Sequence, residues 1–158
     1  MWGMGSKKVD QGRSAPDEGH DLSHWVRGAE GRRALLVGDL ILDRYVYGDA
    51  ERVSPEAPVP VLRVVERREA VGGSANVAAC LKALGCEVVC CGVVGKDRHG
   101  KTLLRMLGEL GVDSSGVVEL ADRPTTTKTR MVGLAQHRHR QQLLRVDDEE
   151  THPLAGAD

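Results

Sequence analysis

The sequence has few aromatic side chains and no phenylalanine: it contains two tryptophans and two tyrosines in 158 residues. Few rings are therefore available to stack on nucleic acid bases. Charge of one sign is not in excess either, because 22 lysines and arginines face 23 aspartates and glutamates. This balance disfavours nucleic acid or an anionic membrane surface as a partner.

Long hydrophobic runs are absent as well. No segment approaches the roughly 18 apolar residues of a membrane span, and residues 1–16 lack the apolar stretch of a secretory signal. We therefore expect a cytoplasmic protein without a membrane partner. The four cysteines lie in apolar segments without paired spacing, which predicts buried, reduced thiols and no metal site. His137 and His139 alternate with arginines and are predicted to form a solvated turn.

The chain length and its 41% hydrophobic residues fit a single globular domain. Residues 1–30 lack sustained periodicity and are predicted to form a mobile leader with a short helix at 21–27. Residues 31–158 are predicted to form an α/β fold. Strands are predicted at 34–42, 87–94, 117–120, 125–134 and 141–146, and helices at 76–84 and 97–110.

Three of these segments carry specific expectations. The nearly continuous apolar run at 34–42 is typical of a strand that is covered on both faces. In the helix at 76–84, the apolar stripe Val77, Cys80, Leu81 and Leu84 is predicted to face the core. Residues 43–65 contain the proline-rich stretch SPEAPVP between β-prone flanks, which predicts a small accessory sheet.

The segment Gly95–Thr102 fits the phosphate-loop pattern G-x-x-x-x-G-K-[ST]. Asp97 lies inside it, however, and a carboxylate opposes the binding of phosphate by backbone N–H groups. In the competing interpretation Asp97 is a helix N-cap and Lys101 is a solvated helix residue. A nucleotide site at Gly95–Thr102 is the less favoured hypothesis.

A second group of residues suits a polyol ligand. Asp39 and Asp43 follow a predicted strand, and Gly72, Gly73 and Asn76 precede a predicted helix. Carboxylates accept hydrogen bonds from hydroxyls, and a glycine pair admits close approach of the backbone. Ligands of open α/β sheets bind at the carboxyl ends of the strands. The alternative, turn glycines with a capping acid, remains open on these residues alone.

A cationic group lies near the carboxyl end of the sequence. Lys128 and Arg130 are two residues apart on a predicted strand and therefore project from the same face. Arg145, on the next predicted strand, could join them to bind a phosphate or carboxylate. A solvated strand face is the alternative interpretation of these three cations.

The order of the motifs resembles that of the ribokinase-like (PfkB-type) sugar kinases. The resemblance rests on the strings VGDLILD at 37–43, GGSANVA at 72–78 and GVVGKDRHG at 92–100. Within the family the chain is similar to the heptose 7-phosphate kinase domain, found alone or joined to an adenylyltransferase. That similarity rests on SPEAPVPV at 54–61, TKTR at 127–130 and QQLLRVD at 141–147.

The resemblance implies a ribokinase-like layered sheet with a small β lid, formed by residues 43–65 and parts of 117–146. It also implies ATP- and Mg²⁺-dependent phosphorylation of the anomeric hydroxyl of D-glycero-D-manno-heptose 7-phosphate, a step toward the ADP-heptose of lipopolysaccharide cores. The implied substrate-binding residues are Asp39, Asp43, Gly72, Gly73, Asn76, Lys128, Arg130 and Arg145. In relatives the lid often pairs with a second subunit, so a homodimer is expected.

One family motif has no counterpart in the sequence. The Gly-Ala-Gly-Asp type motif supplies the catalytic base in the family, and it belongs to a C-terminal half that we expect to be missing here. The string LAGAD at 154–158 echoes it but comes too early, so Asp158 is not assigned as the base. We therefore expect a chain that carries the sugar site, binds no nucleotide tightly and is inactive alone, with an apolar sheet face exposed. A non-catalytic sugar-phosphate binding module is the alternative.

Overall fold

The computed structural model of the protein describes residues 23–135 and 139–154. Residues 1–22 of the predicted leader, His137 of the predicted turn and the string at 155–158 lie outside these residues. The described helices are α1 (Ser23–Arg27), α2 (Ser74–Ala83) and α3 (Arg98–Glu109). The described strands are β1 (Arg33–Val37), β2 (Leu40–Val53), β3 (Pro60–Gly73), β4 (Glu87–Gly95), β5 (Asp113–Leu120), β6 (Thr127–Ala135) and β7 (His139–Asp148).

The strands form two sheets that share one hydrophobic core. A three-stranded parallel sheet has the order β1-β4-β5, and a four-stranded mixed sheet has the order β3-β2-β6-β7. In the second sheet β2 pairs in parallel with β6 and antiparallel with β3. Leu40 and Leu42 of β2 join the buried cluster of the first sheet. The predicted α/β class is therefore confirmed.

Helix α3 confirms the helix predicted to follow Asp97. The Asp97 carboxylate accepts a hydrogen bond from the Gly100 N–H at 2.8 Å, which caps the first turn. Leu103 and Leu107, one turn apart, are fully buried. They pack in the same cluster as Val88 and Cys90, which project from one face of β4.

Helix α2 confirms the predicted helix but buries a different face. Its buried residues are Ala75 and Ala78, whereas Val77 and Leu84 are 46% and 41% exposed. The predicted stripe was therefore wrong, apart from the partly buried Leu81. At the start of the helix the Ser74 N–H donates to the Asp39 carbonyl at 2.9 Å, which holds the first turn beside the link between β1 and β2. Small alanines then let the helix approach the sheet closely.

The apolar run at 34–42 is not a single strand covered on both faces. It is divided at Gly38–Asp39 into β1 and the start of β2, which lie in different sheets. Leu35 and Val37 of β1 are 68% and 71% exposed, because α2 and α3 pack with the opposite face of that sheet. Val118 of β5 is on the same open face. The expectation of an exposed apolar sheet face is confirmed.

The accessory β element is longer than its predicted segment. The predicted bounds 43–65 fall within β2 and β3, which pair from Leu40–Gly73 to Val53–Pro60. The cysteine prediction holds only in part: all four thiols are free, Cys86 and Cys90 are buried, and Cys80 is exposed because it lies on the outer face of α2. None of the described helices has the length and apolar character needed to span a membrane.

Candidate functional site

A cavity of about 700 Å³ opens where the two sheets meet. Residues 37–41, which link β1 to β2, form one wall, and Gly92 and Val93 of β4 lie beside them. The cavity is also lined by Arg123, Pro124 and Thr126, by Lys128, and by the segment 149–152 that follows β7. The cavity therefore lies next to the carboxyl end of β1, where a ligand of an open α/β sheet is expected.

Asp39 lies in the wall of this cavity beside the glycine pair. The Gly73 backbone has φ 56°, a left-handed conformation, and a Cβ there would lie 2.6 Å from the Asp39 carbonyl oxygen. Glycine is required at this position, and it lets the start of α2 approach Asp39. The Asp39 side chain is exposed, and no described residue pairs with its carboxylate. It is thus available to accept hydrogen bonds from a ligand.

Asp43 lies on β2, four residues after Asp39, and its carboxylate already has a partner. Its carboxylate accepts a hydrogen bond from the Arg130 guanidinium at 2.6 Å. A Cβ on Gly72 would lie 2.6 Å from the same carboxylate. Asn76 is exposed on the first turn of α2. These residues are close to the cavity in sequence and strand order, but they do not form its wall.

The predicted cationic group is assembled on one face of the second sheet and is neutralised by carboxylates. Lys128 donates to Asp147 at 3.1 Å and to Glu149 at 3.2 Å. Arg145 donates to the same Asp147 at 2.9 Å. Of the predicted phosphate ligands only Lys128 lines the cavity. A phosphate bound by all three cations would therefore have to replace carboxylate partners.

These ion pairs affect the titration of the groups involved. Hydrogen bonds to Asp147 and Glu149 raise the pKa of Lys128. The hydrogen bond to Asp43 is the main cause that raises the pKa of Arg130. Burial raises the pKa of Asp147, but hydrogen bonds from Lys128 and Arg145 outweigh it and lower that pKa overall. Lys128, Arg130 and Asp147 are therefore held in their charged forms at neutral pH.

A buried hydrogen-bond network holds one wall of the cavity in place. Asp97 accepts hydrogen bonds from the Thr125 N–H at 2.9 Å and from the Thr125 hydroxyl at 2.9 Å. The Thr125 hydroxyl in turn accepts from the Gly95 N–H at 2.9 Å. Because Thr125 lies between Pro124 and Thr126, the network fixes the loop that lines the cavity. Sequence analysis identified the Asp97 cap but not its second partner.

The same network determines the state of the Asp97 carboxyl. Burial raises its pKa, but the hydrogen bonds from Thr125 and Gly100 are the stronger influence together and lower the pKa below the usual value. Asp97 is therefore an ionised carboxylate whose lone pairs are directed at donors of the protein.

The phosphate-loop hypothesis for Gly95–Thr102 is not supported by this geometry. The Gly95 N–H donates to Thr125, the Gly100 N–H donates to Asp97, and the Lys101 N–H donates to the Asp97 carbonyl at 3.2 Å. These backbone donors are therefore not available to a phosphate. The Lys101 side chain is exposed on α3. The N-cap interpretation is the correct one.

A metal site was not predicted, and residues 23–135 and 139–154 contain no group of three or more histidine, cysteine, aspartate or glutamate side chains placed to hold a metal ion.

The segment 149–152, which lines the cavity, was missed by sequence analysis. Glu150 there accepts hydrogen bonds from the His152 backbone N–H at 3.0 Å and from its ring, which lower the pKa of Glu150.

Two curated relatives match most of this chain but only part of their own length. "D-beta-D-heptose 7-phosphate kinase" of Bordetella bronchiseptica is 50% identical over 125 residues, which cover 79% of this chain and 38% of that protein. "Bifunctional protein HldE" of Methylobacillus flagellatus is 46% identical over 121 residues, which cover 77% of this chain and 24% of that protein. The chain thus spans only 24% to 38% of the length of these relatives.

Solved structures of sugar kinases share the fold. The ribokinase of Arabidopsis thaliana, complexed with ribose and ATP, has a TM-score of 0.56 at 23% identity and matches 74% of this chain and 36% of its own. A carbohydrate kinase from Agrobacterium tumefaciens has a TM-score of 0.59 at 22% identity and matches 74% and 35%. Residues 32–149 match the sequence signature of the pfkB carbohydrate kinases. The chain therefore belongs to the pfkB family of carbohydrate kinases.

Proposed function

We propose that this chain provides the sugar-phosphate site of a kinase that phosphorylates the anomeric hydroxyl of D-glycero-D-manno-heptose 7-phosphate. The observation that carries the proposal is the open cavity at Asp39, in a chain that is 50% identical over 125 residues to part of a heptose 7-phosphate kinase. The product would serve the synthesis of ADP-heptose for lipopolysaccharide cores. Phosphorylated sugars and ATP are cytoplasmic metabolites, so we place the reaction in the cytoplasm.

In this proposal Asp39 accepts hydrogen bonds from sugar hydroxyls, because its carboxylate is exposed in the cavity wall without a partner among the described residues. Gly73 keeps the start of α2 close to the sugar. Asn76, on the first turn of α2, and Asp43, beside Gly72, complete the ring of polar groups when the sugar binds. These carboxylate and amide groups of the protein would together favour a ligand with several hydroxyls, such as a sugar.

The phosphate of the substrate would lie at Lys128. This lysine lines the same cavity as Asp39, so a phosphate that it binds would help to orient the sugar. Its carboxylate partners Asp147 and Glu149 would turn away as the dianion binds. Arg145, which shares Asp147 with Lys128, and Arg130, which donates to the Lys128 carbonyl, would then complete the cationic site.

ATP is the proposed phosphoryl donor, in keeping with the carbohydrate kinase family and the ATP complex of the Arabidopsis ribokinase. We place the catalytic base, the nucleotide pocket and bound Mg²⁺ in polypeptide that the relatives have beyond the part matched by this chain. Dimerisation through β2 and β3 is a further part of the proposal. Catalysis of phosphoryl transfer depends on positioning and charge neutralisation, so the acceptor site alone should not turn over.

Calorimetric titration of the 158-residue chain with heptose 7-phosphate tests the proposal. We expect binding at a single site, weakened at least about tenfold by Asp39→Ala, because a charged hydrogen-bond acceptor is lost. Asp113→Ala is the matched control, since Asp113 lies at the start of β5 and does not line the cavity. Absence of binding, or equal affinity in the Asp39 and Asp113 variants, would contradict the sugar site.

The non-catalytic alternative shares this site, so turnover has to be measured separately. We expect no transfer of phosphate from labelled ATP to heptose 7-phosphate by the chain on its own. Transfer would show that the base and nucleotide pocket lie within these residues after all. The proposal predicts that this chain binds the sugar phosphate without phosphate transfer. One of the longer relatives, assayed in parallel, should both bind it and transfer phosphate.

A further inference from the structure

A second cavity, of about 230 Å³, lies apart from the sugar site and is rich in arginine. It is formed by β2, β3 and the first residue of α3, and it shares no lining residue with the first cavity. Its volume is below the roughly 300 Å³ at which pockets for drug-sized ligands begin. The cavity therefore suits a small ligand.

The side chains that face this cavity can be identified from the strand register. Arg44 is paired with Glu69 across the two strands, and Val46 is paired with Arg67, so these four residues share one face. Arg68 belongs to the other face, where it pairs with Glu66 and lies over the Tyr47 ring. Arg98 approaches from α3.

Positive charge exceeds negative charge on this face. Arg44, Arg67 and Arg98 are opposed by Glu69 alone. Glu69 lies 3.4 Å from the Arg44 Nε. No carboxylate in the described part of the chain pairs with Arg67 or Arg98. A dianion would neutralise the excess of two positive charges.

One donor in the cavity is buried without a partner. The Arg44 Nε–H has no solvent contact and makes no hydrogen bond within the described residues, because the Glu69 oxygen is poorly aligned with it. Buried guanidinium donors are normally satisfied, and an unsatisfied one is costly. An oxyanion bound beside Arg44 would accept this hydrogen bond once the guanidinium turned toward the cavity. The planar fork of arginine is well suited to phosphate.

We propose that this cavity binds a phosphate group, either as inorganic phosphate or as the phosphate monoester of a small metabolite. The bound anion would link Arg98 of α3, which packs on the first sheet, to Arg44 and Arg67 of the second sheet. Binding should therefore stabilise the contact between the two sheets. The site uses none of the residues that the proposed function assigns to the sugar or its phosphate.

NMR titration of the full chain with inorganic phosphate, at constant ionic strength, tests the site. We expect saturable shifts of backbone amides at Val46, Arg67 and Arg98. Arg98→Glu and Arg67→Glu should each weaken binding at least about tenfold, because a charged contact becomes repulsive. Arg52→Glu is the matched control: Arg52 is exposed on the same strand β2 but does not line the cavity. Its affinity should equal that of the unmodified chain.

Three results would overturn the proposal. The first is a linear, unsaturated response to phosphate, which indicates screening alone. The second is a saturable response confined to amides around Asp39 and Lys128, which places the anion in the sugar cavity. The third is equal affinity of the Arg98→Glu and Arg52→Glu variants. A melting temperature that rises with phosphate in Arg52→Glu but not in Arg98→Glu would support the proposed link between the sheets.

Discussion

Two corners of the fold look alike in sequence, since each combines glycines with an aspartate at the end of a strand. At the first corner, Gly38–Asp39 lies against Gly73, and the Asp39 carboxylate is exposed in an open cavity. At the second, Gly95 and Gly100 enclose Asp97, whose carboxylate accepts three hydrogen bonds from the protein. Only the first corner has capacity left for a ligand.

The difference shows what separates a corner that is open to a ligand from one that is purely structural. Glycines and an acid supply the same groups in both places, and the second corner even fits a phosphate-loop pattern. What differs is whether another part of the chain satisfies those groups. Thr125 does so for Asp97, and no described residue does so for Asp39. The following predictions test this difference.

The largest expected effect is the loss of Asp97. Asp97→Ala removes the cap of α3 and leaves the Thr125 and Gly100 N–H groups without an acceptor. We expect the free energy of unfolding to fall by about 3 kcal/mol. Asp39→Ala should change it by less than about 0.5 kcal/mol, as an exposed side chain without a partner. Urea denaturation measures both, and equal losses would contradict the distinction between the corners.

The close packing of the second corner predicts a smaller loss for Gly100→Ala. A Cβ at Gly100 would clash with the Gly95 carbonyl oxygen and lie 2.9 Å from the Thr125 hydroxyl. We expect a cost of about 2 kcal/mol. Gly108 lies on the same helix with nothing within 4 Å of its added Cβ. Gly108→Ala should therefore stabilise the protein by about 0.5 kcal/mol, and a stabilising Gly100→Ala would argue against the packed corner.

The lowered pKa of Asp97 predicts a pH dependence that an amide cannot reproduce. A carboxyl whose pKa is lower in the folded state contributes stability above its unfolded value, near 3.8, and loses it as pH falls through the folded value. Asp97→Asn should thus cost about 1.5 kcal/mol at pH 7. The cost should shrink below the unfolded pKa. Denaturation at a series of pH values measures it, and a constant difference would exclude the ionised carboxylate as the cause.

Several features of the fold follow from local pattern. The stripe of leucines behind Asp97 predicted α3, and the β-branched run at 125–134 predicted β6, because hydrophobic periodicity reports the type of a local element. The order of three motifs also indicated the kinase family, which the match over residues 32–149 confirms. The order of these motifs was more specific evidence for the function than the amino-acid composition.

Other features depended on packing between distant segments. The stripe Val77, Cys80 and Leu84 predicted the wrong buried face of α2, because the small residues Ala75 and Ala78 pack into the core instead. The apolar run that contains Leu35 and Val37 predicted a strand covered on both faces, but both side chains lie on a face of the sheet that is exposed. Apolar character tells which residues favour burial but not whether a partner element covers them.

The order of residues along the chain was thus enough to predict the helices, most of the strands and the family, since each of these shows in short stretches of sequence. Whether each polar group has a partner within the protein depended on the tertiary structure. Thr125 closes the corner at Asp97 from 28 residues away, and carboxylates of β2 and β7 neutralise the cations of β6. Hydrogen bonds and ion pairs act over a few ångströms, so only the folded chain establishes which polar groups are satisfied and which remain available to bind.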